Sequence, residues 1–229
     1  MRAFSPHHVL PLMLCVATGS AAALSLADLS NKDATSGLKT ALEKGAVAAV
    51  AKLGAENGFL HNDKVKIQLP KAIEKARPLL AMAGKAQQLD ELVVSMNHAA
   101  EAAVPMAKPL LINAVKSLTV ADAKNILSGG DGSVTNFFRE KTSASLTVQF
   151  LPMVKKVTDR SRLSAKYNSA MGKVSAFTAV DPSQATVESY VTQRAVDGLF
   201  TMIAEEESAI RRDPIGTGSK ILGKVFGAL

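Results

Sequence analysis

The fold class is decided by residues 89–114, which read LDELVVSMNHAAEAAVPMAKPLLINA. Apolar residues recur along this stretch in alternating steps of four and three: Leu89, Val93, Met96, Ala100, Ala103, Ala107, Leu110 and Ala114. That spacing places one apolar stripe along a helix and is typical of helices packed in a bundle. Pro105 and Pro109 lie inside the stretch, so we predict one long helix with a bend near them.

Towards the N-terminus, the pattern predicts two further helices joined by an irregular connection. Apolar residues at helical spacing lead up to Gly54 and indicate a first helix of about 20 residues. Residues 59–69 contain no second strand to pair with, and we interpret them as an extended loop. Pro70 suits the first turn of the next helix, which Pro78 is expected to kink or split.

Towards the C-terminus, capping residues mark the remaining helices. Thr119 and Asp122 form a capping box for a short helix. The glycine-rich loop 129–133 follows, with its serine predicted as the N-cap of a helix that breaks or kinks at Pro152. A long helix is predicted over 186–212. A turn at 181–183 and a short C-terminal helix after Pro214 complete the prediction.

Composition supports helices over sheet. Alanine is abundant, aromatic residues are 4% of the chain and tryptophan is absent. Small residues of high helix propensity favour close-packed helices. We therefore predict an all-α fold: a single domain over residues 24–229, built as a bundle of about six to nine helices.

Residues 1–23 have the three parts of a secretory signal peptide. Arg2 gives a positive start, residues 9–17 form a short apolar core, and residues 20–23 are small. The apolar core is far shorter than the roughly 20 residues that cross a bilayer. We expect cleavage near Leu24 and a periplasmic mature protein with no transmembrane segment.

The mature chain lacks the residues that several kinds of site require. The only cysteine, Cys15, lies in the signal peptide, which excludes a cysteine nucleophile and zinc–cysteine or iron–sulfur sites. His61 and His98 are the histidines that remain, so a multi-histidine metal site is not expected. We predict no cofactor.

The net charge of +7 raises the question of an anionic partner. The densest basic cluster contains a single acid, Asp159, and consists of Lys155, Lys156, Arg160, Arg162 and Lys166. We expect an ordinary solvated face. A membrane or envelope surface is the main alternative, and nucleic acid is not expected as a partner.

Helical projection places two glutamates near the apolar face of the last long helix. Glu207 falls roughly 35° and Glu206 roughly 65° from the centre of that face, whereas Glu205 points away. Arg211 follows Glu207 by one turn, so we predict a Glu207–Arg211 ion pair. If the pair is buried, replacing Arg211 by alanine is expected to cost more than replacing Glu207 by glutamine.

A second polar pair, Asn97 and Glu101, flanks the apolar stripe, and His98 projects to the wet face. We interpret the pair as part of an interhelical hydrogen-bond network. Convergence of Glu101 with Glu206 or Glu207 is the alternative, which would create a carboxylate metal site or an acid–base pair. The candidate polar cluster comprises Asn97, Glu101, Tyr190, Glu206, Glu207 and Arg211.

Three segments resemble a known but uncharacterised family. They are residues 96–101 (MNHAAE), residues 122–127 (DAKNIL) with the glycine-rich loop, and residues 190–214 from Tyr190 to Pro214. Together they resemble domain of unknown function 4197, whose members are exported proteins of Gram-negative bacteria. The resemblance implies export and one helical domain, and it supplies no catalytic residue, substrate or cofactor.

No enzyme signature is present: no serine lies in a nucleophile-elbow pattern and no Glu-x-x-His pair occurs. The function we expect is a periplasmic, non-enzymatic binding or interaction protein. It would hold an apolar ligand between its helices or present a surface to an envelope protein. The alternative is a carboxylate-based hydrolase or metal-binding protein using Glu101, Glu206 and Glu207.

Overall fold

The computed structural model describes residues 31–175 and 185–213. Within these ranges the chain forms eight α-helices and one 3-10 turn, and no strand. The helices are α1 Asn31–Gly54, α2 Lys71–Met82, α3 Ala86–Ala103, α4 Ala107–Lys116, α5 Val120–Ser128, α6 Ser133–Arg160, α7 Leu163–Ser175 and α8 Val187–Arg212. The predicted all-α bundle is confirmed. The predicted signal peptide, the turn at 181–183 and the C-terminal helix lie outside the described residues.

The two longest helices, α6 and α8, pack against each other through the middle of the bundle. Helices α1, α3 and α4 surround this pair, and α7 lies against α2, α3, α6 and α8. Five aromatic side chains are fully buried between them: Phe59, Phe138, Phe150, Tyr167 and Phe200. None of the described helices is long and apolar enough to cross a membrane.

The predicted single helix over residues 89–114 is wrong in one respect. It is two helices, α3 and α4, separated by a 3-10 turn at Val104–Met106. Pro105 and Pro109 lack the N–H that would continue the helical ladder, and Pro105 also packs against the end of α1. A Cβ built on Gly54 would lie 3.0 Å from Cγ of Pro105, so the turn lets α1 approach closely.

Pro78 and Pro152 do not split their helices. Both residues lie inside continuous helices, α2 and α6. The carbonyls that lose a helical partner belong to Glu74 and Val148, which are half-buried and exposed respectively. Water is therefore available to replace the missing hydrogen bonds.

The capping box predicted at the start of α5 is confirmed, whereas the N-cap predicted for α6 is corrected. Thr119 and Asp122 form the predicted capping box, with Asp122 N–H donating to Thr119 Oγ1 at 3.1 Å and Thr119 N–H to Asp122 Oδ2 at 2.9 Å. The predicted cap of α6, Ser133, is wrong because Gly132 is the N-cap residue, with φ +85°. The Ser133 hydroxyl instead donates to the carbonyls of Ile126 and Gly130.

Candidate functional site

The structure divides the predicted polar cluster among three places. Asn97, Glu101 and Tyr190 all bind backbone of the loop 55–70, and we call these three residues the loop clamp. Glu207 and Arg211 meet where α5 is joined to α6, and we call this pair the helix-end clasp. Glu206 lies apart from both, in an ion pair with Lys52 of α1.

Glu101 holds the first half of the loop. Its Oε1 accepts from the N–H groups of Phe59 at 3.0 Å and Leu60 at 3.2 Å. Its Oε2 accepts from the N–H of Asn57 at 3.2 Å. The residue is only 6% exposed, and these three donors compensate for the water that the carboxylate has lost.

Asn97 and Tyr190 hold the second half. The side-chain amide of Asn97 accepts from the N–H of Ile67 at 2.8 Å and donates to its carbonyl at 2.9 Å. Tyr190 donates its hydroxyl to the carbonyl of Gln68 at 2.8 Å. Asn97 therefore replaces the partner strand that this segment lacks. The predicted interhelical network is corrected here, because the partners are loop backbone groups.

The loop can turn towards Glu101 because of its local sequence. Asn57 has a left-handed backbone with φ +62°, which asparagine tolerates better than most residues. A Cβ on Gly58 would lie 2.3 Å from the carbonyl oxygen of Lys52, so only glycine fits there. Phe59 then inserts fully into the core against Gly198 of α8.

Glu207 caps a helix that has no cap of its own. Because Gly132 offers no side chain, the first N–H groups of α6 need another acceptor. Glu207 accepts from the N–H of Val134 at 3.1 Å and from the N–H and hydroxyl of Thr135 at 3.0 and 2.8 Å. The positive end of the α6 dipole also favours its negative charge.

Arg211 completes the helix-end clasp and confirms the predicted ion pair. Its Nε lies 3.2 Å from Glu207 Oε1. Its Nη2 donates to the carbonyl of Ile126 at 3.1 Å and to the hydroxyl of Ser133 at 2.7 Å. Asp131 lies further off, with Oδ1 3.9 Å from Nε. One guanidinium thus joins the end of α5, the start of α6 and the buried face of α8.

Glu206 lies at the edge of the buried face of α8, with 17% of its side chain exposed, and Glu205 is more exposed at 34%. Glu206 accepts from Lys52 at 2.6 Å, and Glu205 pairs with Lys64. Both glutamates are half-buried while their lysines are more than half exposed. Exposed pairs of this kind contribute little to stability, about 0–1 kcal/mol each.

The alternative hypothesis, a hydrolase or metal-binding protein, requires Glu101, Glu206 and Glu207 to converge, but the three carboxylates bind different parts of the chain. Glu101 is occupied by the loop clamp, Glu207 by the helix-end clasp and Glu206 by Lys52. In the part of the chain that the structure describes, no group of three or more His, Cys, Asp or Glu residues could hold a metal ion. His98 projects to the wet face, with its side chain 46% exposed and Nε2 4.0 Å from Glu101 Oε2.

Two cavities lie near the helix-end clasp: one is lined in part by Glu207 and Arg211, and the other by Ile126 and Ser133, which Arg211 binds. One of about 20 Å³ lies between α1, α6 and α8 beside Glu207 and is otherwise lined mainly by apolar side chains. It has room for roughly one water molecule. The other is an open groove of about 390 Å³ beside the glycine-rich loop, with a mainly polar lining that includes Asp122, Asn125, Asp131 and Glu140. Neither offers an apolar chamber of lipid size.

Both tyrosines of the chain are buried and stack on each other. The ring centroids of Tyr167 and Tyr190 lie 6.4 Å apart. Burial raises the pKa of Tyr167, and nearby Tyr190 and Glu188 add to the effect. Burial also raises the pKa of Tyr190, although Arg194 over its ring acts in the opposite direction.

Sequence reasoning missed the partners of the buried acids. Thr135 and Ser133 were not predicted to contact Glu207 and Arg211. The indication in the sequence is Gly132, which stands at the N-cap of α6 and has no side chain to accept from the N–H groups that follow it. Glu188 was missed as well, although it accepts from the hydroxyls of Thr158 and Ser164. These contacts join residues that are distant in sequence, so no local spacing indicates them.

The described residues define a class of protein: a helical bundle whose two buried carboxylates hold a loop and a helix end in place. Residues 28–227 match the family described as "Protein of unknown function (DUF4197)", and the chain belongs to that family. The resemblance noted in its motifs is thereby confirmed. No curated protein and no solved structure matches the chain.

Proposed function

We propose that this chain is a periplasmic interaction protein that acts through its surface and not through an internal ligand chamber or an active site. The observation that carries the proposal is the filled interior of the bundle over the residues that the structure describes. The aromatic core is closed, and the apolar cavity beside Glu207 is about 20 Å³. A lipid or similar apolar ligand needs a pocket of several hundred Å³.

The state of the buried polar groups supports the same proposal. Each oxygen of Glu101 and Glu207 already accepts hydrogen bonds from backbone or side-chain donors. Among the described residues, Thr192 Oγ1 is the single buried side-chain oxygen or nitrogen without a hydrogen-bond partner. An acid–base or metal-binding role would require a carboxylate that substrate or metal can reach.

Large apolar side chains are exposed on α2, α3, α5 and α6: Leu79, Met82, Val94, Val120, Val148 and Leu151. Leu79 and Met82 are three residues apart on α2 and so lie side by side, and apolar side chains grouped at the surface mark interaction sites in soluble proteins. A closed interior combined with this exposed pair on α2 favours a surface partner over an enclosed ligand.

Native mass spectrometry of protein released from periplasm tests the proposal. We expect the mass of a chain that begins within a few residues of Leu24, with no stoichiometric small molecule or metal retained. A bound lipid, metabolite or metal in stoichiometric amount would contradict it. A full-length species found only in the cytoplasm would contradict the periplasmic location.

A further inference from the structure

Helix α2 exposes two large apolar side chains to solvent near its C-terminal end. Leu79 is 67% and Met82 is 87% exposed. On the opposite side of the same helix, Ile73 and Leu80 are buried in the core. The inward face therefore already anchors α2, and the outward apolar side chains are not needed to hold it in place.

Two lysines share this outward face. At 100° per residue, Lys71, Lys75, Leu79 and Met82 fall within about 80° of one another around the helix. All four are exposed, and neither lysine forms an ion pair with another described residue. We call these four residues the α2 stripe.

The α2 stripe lies close to the other basic segment of the chain. Helix α2 packs against α7, which follows the end of α6. Segments 71–91 and 155–173 together contain ten basic and four acidic residues, and so carry six of the chain's seven net positive charges. The charge is thus concentrated around one group of neighbouring elements.

The acids in these segments are already paired. Arg77 binds Glu74 at 2.8 Å and Asp90 at 3.0 Å. Two more ion pairs, Lys166–Glu91 at 2.7 Å and Lys155–Asp159 at 2.9 Å, occupy the other two acids. No acid of these two segments is therefore left to pair with Lys71 or Lys75. The charge of both lysines is available to an anionic partner.

We propose that the α2 stripe docks this protein on an anionic phospholipid surface. Leu79 and Met82 would enter the headgroup region, while Lys71 and Lys75 contact phosphates. An exposed apolar pair on a basic helix is the pattern of interfacial binding, and the surrounding positive charge adds long-range attraction. This proposal rests on the proposed surface function and names its partner.

A lipid surface fits these observations better than an acidic protein. The apolar side chains protrude, whereas a protein-binding site centres on buried anchors in a complementary pocket. The excess charge extends over two segments instead of forming one compact site. Both properties suit a broad, deformable, anionic surface.

Vesicle co-sedimentation with the full mature chain tests the proposal. The probes are vesicles of phosphatidylcholine alone and vesicles of phosphatidylcholine and phosphatidylglycerol in equal amounts. We expect binding only to the anionic vesicles, weakening as ionic strength rises. Removing both lysines with K71Q/K75Q is expected to weaken binding about fivefold for each charge. The variant L79S/M82S is expected to weaken it about tenfold or more.

Matched variants control for charge and apolar area. K108Q/K116Q removes two exposed lysines from α4, and V148S/L151S removes two exposed apolar side chains from α6. Both are expected to bind nearly as wild type, and thermal melts will show that all four variants fold. Equal losses in stripe and control variants would overturn the assignment to α2.

The outcomes separate this inference from the proposed function. No binding to anionic vesicles would overturn the lipid inference, and so would an acidic protein that binds the α2 stripe in their place. Either result would leave the proposed surface function intact. A stoichiometric internal ligand in native mass spectrometry would instead defeat the proposed function itself.

Discussion

At the scale of single residues, the two buried glutamates differ in how far the sequence could reveal their surroundings. The Glu207–Arg211 pair could be predicted because its spacing of four residues is local. The backbone groups that Glu207 also binds lie 72 and 73 residues away. No periodicity connects such positions, so the capping role became visible only in the folded chain.

The contacts of Glu207 change the expected order of two substitutions. Glu207→Gln places an amide against buried N–H donors and is expected to cost about 3 kcal/mol. Arg211→Ala leaves Glu207 with three donors at a helix N-terminus and is expected to cost about 2 kcal/mol. The measurement is the free energy of unfolding from urea melts.

Lys52→Ala is the control for the glutamate pair, because it removes only an exposed ion pair and is expected to cost at most about 1 kcal/mol. A larger loss for Arg211→Ala than for Glu207→Gln would show that the arginine, and not the start of α6, is the main partner of Glu207.

Asn97 offers a second test at this scale. Asn97→Ala leaves the buried N–H and carbonyl of Ile67 without partners, so we expect a loss of about 3 kcal/mol in the free energy of unfolding. Gln193→Ala removes an exposed amide on α8 and is expected to cost less than about 0.5 kcal/mol. Similar losses for the two variants would show that Asn97 does not hold the loop in place.

At the scale of helices and loops, the sequence was informative where local chemistry decides. Thr119 and Asp122 identified the start of α5, and apolar spacing identified the buried faces of α3 and α8. The break at Val104–Met106 was predicted only as a bend. Its cause includes the close approach of Gly54 to Pro105, a contact between distant segments that spacing does not record.

Two helical glycines are expected to respond in opposite directions to alanine. A Cβ on Gly198 would lie 2.7 Å from Cε1 of Phe59, so Gly198→Ala should destabilise the fold by about 1–3 kcal/mol. At Gly172 the added Cβ meets no heavy atom within 4 Å. Gly172→Ala should therefore stabilise α7 by up to about 1 kcal/mol. Thermal melts give the change in melting temperature for each variant. Equal changes for the two would contradict the close packing of α8 on the loop.

At the scale of the whole molecule, the all-α class followed from composition and periodicity. The packing of α6 on α8 and of α2 on α7 did not. Those features depend on which apolar faces meet. The closeness of the two basic segments is likewise a property of the packed helices, since segments 71–91 and 155–173 are separated in sequence.

Alkaline pH is expected to unfold the bundle. Burial raises the pKa of both tyrosines above the usual value near 10. The folded state therefore holds the neutral form more strongly than the unfolded state does. This contribution is complete below about pH 10 and is lost as the pH rises further. Urea melts across this range should show the decline.

The variant Y167F/Y190F provides the control, since it removes both titrating groups and should make the alkaline decline shallower. Absorbance of phenolate in the wild-type chain should rise together with unfolding. Ionisation of either tyrosine in the fully folded protein would contradict their burial.

The central claim is that the surface of this bundle, and not its interior, carries its function. Hydrogen–deuterium exchange of a chain that begins at Leu24, with and without vesicles containing phosphatidylglycerol, tests it most directly. We predict slower exchange confined to residues 71–85, with no change at 57–68 or 126–135, where the buried glutamates act. No change anywhere would overturn the lipid inference alone, whereas slower exchange at those two segments would contradict the claim.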